Sequence, residues 1–271
     1  MRVVVLVKQV PDIVSERRLD GDGLLDRSGA DQMLNELDEG AIETALRSAA
    51  TLGGEVVAIT MGPDGAASAA RKALQVGAAS AVHISDPALA GSDAVVTARV
   101  LAASIRLLND EDPANPVSLV VAGMSALDGL GSVVPALVAA ELGWPVLSFA
   151  NAVDVEPDPA AITVSRETEH GSERLRSSLP ALVSVTDTIA QLRVPSFASM
   201  LAARKATLRV LSAAELGFEA AEVGLAGSRA TIVESAPRPP RPAPQVISDS
   251  GQGAAALVDF LDQRGLLEVG A

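Results

Sequence analysis

The chain contains no cysteine, and its only two histidines, His83 and His170, lie far apart in sequence. Disulfide bonds, thiolate catalysis and cysteine-ligated zinc or iron–sulfur centres are therefore excluded. No run of about 20 uncharged apolar residues is present to cross a bilayer. The apolar run at residues 1–7 ends at Lys8 and is too short for a signal peptide. We therefore expect a cytoplasmic protein without membrane insertion.

Aromatic residues are also scarce, at 2% of the sequence, and tyrosine is absent. Single-stranded nucleic acids stack their bases on aromatic side chains, and phosphate backbones are bound by clustered Lys and Arg. A formal net charge of −13 offers no such basic surface, so we do not expect a nucleic-acid partner. What the chain does have is 48% hydrophobic residues, mostly aliphatic, which is enough for a large core.

Apolar, β-branched runs alternate with helical periodicity in the first half of the chain. Strands are predicted at residues 3–7, 55–60, 81–84 and 118–122, and helices at 38–52, 64–76, 92–108 and 135–142. This order predicts an α/β fold, a Rossmann-like open, mostly parallel sheet with flanking helices. Three later strands, at residues 150–155, 161–167 and 181–187, are expected to extend the same sheet.

The composition changes at residue 235, after which five prolines occur in one short polar stretch: Pro237, Pro239, Pro240, Pro242 and Pro244. This density is typical of an extended, polyproline-like segment. A short apolar helix is predicted at residues 254–261. We therefore predict a nucleotide-binding α/β domain over residues 1–234 and an extended C-terminal arm over residues 235–271. A flexible tail is the alternative for the second segment.

A glycine-rich turn at residues 123–134 follows a strand and opens a helix, with glycines at positions 123, 129 and 131. Backbone N–H groups and the helix dipole can receive an anion at such a place. The turn lacks the Gly-Lys-Ser/Thr of a P-loop, and no Lys or Arg lies between Asn115 and Arg166. With Ser125 and Ser132 as hydroxyl donors, we expect a ligand with one phosphate, or a dinucleotide. A tight turn without ligand is the alternative.

Other polar residues have simpler interpretations. Asp38 is placed to cap the first helix, and His83 is expected to make a structural hydrogen bond inside a strand. Glu167, Glu169 and His170 resemble an acid–base cluster, but a solvated loop is the better interpretation, since no nucleophile lies near them. We therefore predict a protein that is not an enzyme and has no catalytic residues of its own.

An ordered series of motifs runs nearly from end to end of the chain: Val-Val-Leu-Val-Lys-Gln-Val-Pro-Asp at residues 4–12, Asn-Glu-Leu-Asp-Glu at 35–39, Met-Gly-Pro at 61–63, Arg-Lys-Ala-Leu at 71–74 with Gly-Ala at 77–78, Asp-Gly at 128–129, Leu-Gly-Trp-Pro at 142–145, Arg-Glu-Thr at 166–168, Leu-Pro-Ala-Leu at 179–182, Pro-Ser-Phe at 195–197 and Met-Leu-Ala-Ala-Arg-Lys at 200–205. Taken together, these segments resemble the β subunit of electron transfer flavoprotein.

The resemblance implies a heterodimer whose α subunit holds the redox FAD, while this chain holds a structural AMP. Electrons would pass from flavin dehydrogenases, such as acyl-CoA dehydrogenases of fatty acid oxidation, through a quinone oxidoreductase toward the quinone pool. The implied AMP-binding residues are Leu6, Asn35, Glu36, Leu37, Asp38, Met61, Gly123, Met124, Ser125, Ala126, Leu127, Asp128, Gly129, Leu130, Gly131, Ser132, Val133 and Val134.

The resemblance also implies a partner-docking segment at residues 193–205 and an arm that contacts the α subunit. In the docking segment, Phe197 occupies the position of a protruding apolar residue that binds dehydrogenases; core packing is the alternative. Glu167 is implied to face a basic residue of the α subunit. The chain departs from many relatives at Leu130, Gly131 and Val133, which leave only backbone contacts to the ligand, and at Val194 and residues 198–199 of the docking segment.

Two other functions remain open from the sequence. One is a free-standing module that senses AMP or ATP. The other is the β subunit of an electron-bifurcating flavoprotein, with a second FAD in place of AMP.

Overall fold

The computed structural model describes residues 1–15, 18–27, 31–236, 239–241, 243–244, 246, 249 and 251–267. It divides into two compact units, Met1–Glu234 and Ser235–Ala271. In the second unit, the described residues contain one helix, at Gly253–Asp262, close to the predicted position. Pro237 and Pro242 of the predicted proline-rich arm lie outside the described residues.

The strands and helices are numbered in chain order. The strands are β1 (Arg2–Leu6), β2 (Gln9–Pro11), β3 (Gln32–Leu34), β4 (Glu55–Met61), β5 (Ser80–Ile84), β6 (Val117–Gly123), β7 (Val146–Ala150), β8 (Ala152–Pro157), β9 (Ala160–Thr168), β10 (Gly171–Ser178), β11 (Ala181–Val185) and β12 (Leu208–Leu211). The α-helices are α1 (Glu36–Leu52), α2 (Ala67–Val76), α3 (Ala94–Glu111), α4 (Val134–Leu142), α5 (Phe197–Ala203), α6 (Gly224–Gly227) and α7 (Gly253–Asp262).

A seven-stranded sheet forms the centre of the first unit, in the order β12-β5-β4-β1-β6-β11-β7. Every neighbouring pair in this sheet is parallel. The predicted α/β, Rossmann-like fold is therefore confirmed. From β1 the chain builds outward on one side through β4 and β5, and then crosses to place β6 on the other side of β1. Ligands of open parallel sheets bind at such a reversal, beyond the carboxyl ends of the strands.

Two apolar layers cover the sheet, one on each face. Val3 and Val5 of β1 point to one face, where they pack in a buried cluster with residues of α1 and α2 such as Ile42. Val4 and Leu6 point to the other face, in a cluster that includes residues of α3 and α4. This alternation follows from the two-residue period of a strand. Because both faces are covered, β1 is apolar at nearly every position.

The later strands differ from the prediction. The strand predicted at residues 181–187 joins the main sheet as β11, but those predicted at 150–155 and 161–167 do not, and form instead the separate antiparallel sheet β10-β9-β8. The connections explain this difference. Only Asp158 and Pro159 separate β8 from β9, and only Glu169 and His170 separate β9 from β10. A parallel pair needs a crossover of a dozen or more residues, so connections this short impose antiparallel pairing.

Candidate functional site

The predicted site residues of the first half of the chain converge at the reversal of the sheet order. β1 ends at Leu6 and β6 ends at Gly123, and these strands lie side by side. The start of α1 and the loop between β6 and α4 meet beyond their carboxyl ends. Leu6 is buried in the core, Met61 is half-buried at the end of β4, and Glu36 is exposed at the start of α1.

Asn35 connects the start of α1 to the glycine-rich loop. Its side chain is fully buried, and its Nδ2 donates to the Ser125 carbonyl and to Asp38 Oδ1, at 2.9 Å in both cases. Its Oδ1 accepts a hydrogen bond from the Leu127 N–H at 3.0 Å. Two segments that are about ninety residues apart in sequence are thus held in one arrangement by a single amide.

Asp38 does not cap α1, so that prediction is wrong. The helix begins two residues earlier, at Glu36, with Asn35 at the N-cap position and no side-chain capping bond. The Asp38 carboxylate instead turns inward, where Oδ2 accepts from the Lys8 N–H at 2.8 Å. Burial raises the pKa of Asp38 to about 7, although hydrogen bonds from Asn35 and Lys8 oppose this shift.

Gly123 explains why Asp38 fits in this position. A Cβ atom at Gly123 would lie 2.5 Å from Asp38 Oδ1 and 2.6 Å from the Leu37 carbonyl oxygen. Only glycine therefore allows the end of β6 to approach the first turn of α1 so closely. Gly129 and Gly131 differ, because an added Cβ at either position would meet open space or an ordinary contact.

Two cations reach the loop from distant parts of the sequence. Asp128, whose side chain is 3% exposed, pairs with Lys8 Nζ at 2.8 Å and with Arg27 Nη2 at 2.6 Å. Burial alone would raise the pKa of Asp128, but the charges and hydrogen bonds of Lys8 and Arg27 together lower it below its ordinary value. The lack of Lys and Arg between Asn115 and Arg166 in the sequence therefore does not leave the loop without cations in the fold. These two partners lie 120 and 101 residues away from Asp128 in sequence.

The remainder of the loop presents unpaired donors. Leu130 and Ser132 have φ angles of 49° and 53°, in the left-handed region. The N–H groups of Gly131, Ser132 and Val133 have no acceptor among the residues that the structure describes. Val133, the N-cap of α4, makes no side-chain capping bond. Alternating backbone conformations and open helix N-termini both favour anions, so this edge of the loop can receive a phosphate or carboxylate group.

One hydroxyl of the site also lacks a partner. Ser125 Oγ is buried and makes no hydrogen bond to the described residues. A buried polar group without a partner is costly unless something supplies the missing bond. The other predicted loop residues, Met124, Ala126, Leu127 and Val134, are half-buried.

Phe197 lies elsewhere, at the first position of α5, and is 85% exposed. Core packing of this side chain is therefore excluded. A reciprocal capping box fixes the start of the helix: Ser196 Oγ accepts from the Ser199 N–H at 3.0 Å, and Ser199 Oγ accepts from the Ser196 N–H at 2.9 Å. Val194, three residues earlier, is 88% exposed. The predicted docking segment thus presents bulky apolar groups to solvent.

The polar cluster at residues 167–170 forms the end of an exposed hairpin. Glu167 lies on β9, and both of its carboxylate oxygens accept from Ser172 Oγ at 2.8 Å. Glu169 and His170 are exposed in the turn, in agreement with a solvated loop. His83 is buried, and its Nε2 lies 3.1 Å from the Gly62 carbonyl oxygen, the kind of structural bond expected for it.

The described residues offer neither a metal site nor a membrane-spanning helix. In the described ranges, His, Cys, Asp and Glu side chains form no group of three or more that could hold a metal ion. None of the helices in those same ranges combines the length and the apolar character needed to cross a membrane.

The sheet order and the loop at its reversal define an α/β protein of the Rossmann-like class. Comparison with known proteins identifies the family. The family described as "Electron transfer flavoprotein domain" matches residues 22–216. The chain belongs to the electron transfer flavoprotein family. It is therefore an electron-transfer protein.

Individual relatives agree with this assignment. The chain is 41% identical to "Electron transfer flavoprotein subunit beta" of Mycobacterium tuberculosis over 265 residues, which is 96% of this chain and 97% of that one. It is 42% identical to the protein of the same name from Mycobacterium leprae, with the same coverage. It is also 34% identical to "Protein FixA" of Bradyrhizobium diazoefficiens over 97% of this chain and 92% of that one.

Proposed function

We propose that this chain is the β subunit of a heterodimeric electron transfer flavoprotein. With an α subunit that holds the FAD, it carries electrons from flavin dehydrogenases, such as acyl-CoA dehydrogenases, to a quinone oxidoreductase and the quinone pool. The compartment is the cytoplasm. This chain holds a structural AMP and recognises partners, and none of its side chains acts as an acid or a base.

The observation that carries the nucleotide proposal is the loop at the sheet reversal. It combines three features that fit a phosphate: N–H groups at Gly131, Ser132 and Val133 and a Ser125 hydroxyl that have no partner among the described residues, and a helix α4 without a side-chain N-cap bond. Backbone donors and the helix dipole would hold the phosphate. The remaining predicted residues, from the start of α1 and the ends of β1 and β4, would enclose the rest of the nucleotide.

The local charge fits a small anion. Lys8 and Arg27 bring two positive charges to the loop, and Asp128 neutralises one of them. Asp38, which interacts with both Lys8 and Asp128 and has a pKa of about 7, neutralises part of the remaining charge. So small a positive charge suits a monophosphate better than a triphosphate, which would need more cationic groups. The rigid connection through Asn35 and Asp38 suits a ligand that stays bound as part of the fold. We therefore place AMP here in a structural role.

The redox chemistry of the complex would be that of the FAD when it is bound by the α subunit. This chain contributes in two other ways. Phe197 supplies an exposed apolar side chain for transient binding of a dehydrogenase. Glu167, on the exposed hairpin, supplies a carboxylate for a basic residue of the α subunit, and residues 235–271 form the arm that contacts the same subunit.

The test is to identify the nucleotide released from the protein. The chain is co-expressed with the α subunit, the complex is purified and denatured, and the released nucleotides are identified by mass spectrometry. One FAD and one AMP per heterodimer are expected. Two FAD molecules would instead select the electron-bifurcating alternative. Purification of this chain as a stable yellow monomer would contradict the heterodimer.

A matched pair of variants locates the nucleotide. Asn35→Ala removes the amide that connects α1 to the loop, so the AMP content of the purified complex is expected to fall while the FAD content is retained. Asn151→Ala, between β7 and β8, serves as the control and should retain both nucleotides. Equal AMP content in the two variants would place the nucleotide elsewhere.

A further inference from the structure

Glu43 is a buried carboxylate in the middle of α1 that the proposed site does not use. Only 4% of the residue is exposed. Arg193 Nε donates to its Oε2 at 2.8 Å, and Arg193 Nη2 donates to its Oε1 at 3.0 Å. Arg47, one turn later on the same helix, donates to Oε1 at 2.8 Å. The carboxylate is therefore held by the two-pronged guanidinium of Arg193, and Arg47 adds one further hydrogen bond from the same helix.

Arg193 is the first residue of the docking segment, and the chain before it is closely fitted to α1. A Cβ atom at Gly40 would lie 2.9 Å from Ile189 Cγ2, so helix and chain are in close contact here. Ile189 and Leu192 pack against the main core. Immediately after Arg193 the chain turns outward, and Val194 is 88% exposed.

The other end of the docking segment is also fixed, by packing. Ala203, the last residue of α5, and Ala206 lie against the same core. No residue of α5 is fully buried, but the helix lies beside α2. The docking segment is thus held at Arg193 and at Ala203, with α5 resting on α2. The Arg193–Glu43 pair is the last polar support before the exposed apolar groups begin.

We infer that Glu43 is a positioning residue for partner docking, which fixes the start of the docking segment through Arg193 and so pre-orders Phe197 for its partner. The inference rests on the proposed function, in which Phe197 binds the dehydrogenase. An ion pair of this kind, with Glu43 buried but the Arg193 side chain 45% exposed, is a weak source of stability. The pair instead fixes the orientation of the Arg193 side chain, because a guanidinium makes two parallel hydrogen bonds to a carboxylate when the two groups lie in one plane.

The charge state of the pair agrees with this role. Burial alone would raise the pKa of Glu43, but hydrogen bonds from Arg193 and Arg47 lower it below its ordinary value. The carboxylate is therefore ionised at neutral pH, and the connection to Arg193 persists under physiological conditions.

The experiment uses the full-length chain in complex with its α subunit. Glu43→Gln removes the negative charge at nearly constant side-chain volume. Arg193→Lys keeps the positive charge but removes the two-pronged hydrogen bonding of the guanidinium group. Arg47→Ala is the matched control, since Arg47 contacts the same carboxylate but not the docking segment. Amide hydrogen exchange of residues 194–202 is measured by mass spectrometry, together with KM and kcat for reduction of the complex by an acyl-CoA dehydrogenase that reduces the wild type.

For Glu43→Gln and Arg193→Lys, exchange over residues 194–202 should become about tenfold faster, with the rest of the chain unchanged. KM for the complex should rise about tenfold with kcat little changed, because released residues must be ordered again on docking. Arg47→Ala should behave as the wild type. Unchanged exchange in the docking segment, or an equal effect of Arg47→Ala, would overturn the inference.

One further variant separates this inference from the proposed function. Phe197→Ala should raise KM without changing exchange. Should Phe197→Ala leave KM unaltered, the docking role of this segment is wrong, while faster exchange in Glu43→Gln still supports the positioning of the segment by Glu43.

Discussion

The buried carboxyl group of Asp38 predicts an unusual dependence of stability on pH. Its pKa is about 7 in the folded chain against an ordinary value of 3.8. At pH values between 3.8 and about 7, the Asp38 carboxyl group binds more protons in the folded state than in the unfolded state. The free energy of unfolding therefore falls as the pH rises through this range. This is the reverse of the usual acidic residue, which stabilises the fold when ionised. We expect Asp38 to be most favourable to folding at low pH and to lose that advantage by about pH 7.

The magnitude follows from the two pKa values. Between pH 5 and pH 8, linkage predicts that Asp38 costs the wild type about 3 kcal/mol of stability. Asp38→Asn removes the ionisation. It also loses one of the two hydrogen bonds that the carboxylate accepts from Lys8 and Asn35, at about 1 kcal/mol at every pH. The stability of the variant relative to the wild type should therefore improve steadily as the pH is raised.

The assay is thermal unfolding of the purified complex from pH 5 to pH 8, for Asp38→Asn and wild type in parallel. At about 2–4 °C per kcal/mol, the Tm difference should move by roughly 6–12 °C in favour of the variant across this range. Asp93→Asn is the control. Hydrogen bonds from the Val96, Arg229 and Ala230 N–H groups outweigh burial and lower the pKa of Asp93, so its ionisation lies below the window and its Tm difference should stay flat. A flat difference for Asp38→Asn would refute the reasoning.

Three further predictions follow from the same contacts. Gly123→Ala places a methyl group 2.5 Å from Asp38 Oδ1 and should lower stability by about 1–3 kcal/mol in thermal unfolding; Gly129→Ala, where the methyl group meets open space, should have little effect, and equal losses would contradict the argument. Phe197→Ala should raise KM for the dehydrogenase about tenfold and leave the AMP content unchanged, and loss of AMP would indicate misfolding instead. Deletion of residues 235–271 should abolish co-purification with the α subunit, whereas a free-standing sensor would keep its fold and nucleotide.

Most of the central sheet can be predicted from the sequence, because each strand is marked by apolar residues that are neighbours in the chain. A run such as residues 3–7 is apolar at every position, and this is what a strand covered on both faces requires. Helix ends were similarly marked: α1 and α4 stop at Gly53 and Gly143, both with left-handed backbone. The start of α1 was harder to predict, since Asp38 has the chemistry of an N-cap but is used as a buried acceptor.

What the sequence could not reveal depends on pairing between distant segments. The glycine-rich turn was visible, but its cations were not, because Lys8 and Arg27 meet Asp128 only after the sheet has formed. Lys8 was visible within the opening motif and had no assigned role, while Arg27 carried no local signal. The pair Glu43 and Arg193 was missed for the same reason, since 150 residues separate its members.

The position of β1 has a consequence for the order in which this protein forms during synthesis. The central strand is synthesised before both of its neighbours in the sheet, β4 and β6. One edge of β1 can therefore pair only after residues 55–61 have been synthesised, and the other edge only after residues 117–123. Because ribosomes extend the chain at only about 5–20 residues per second, the strand stays partly unpaired for seconds. The proposed nucleotide site can form only after the loop beyond β6 has emerged, and the proposed docking segment follows later still.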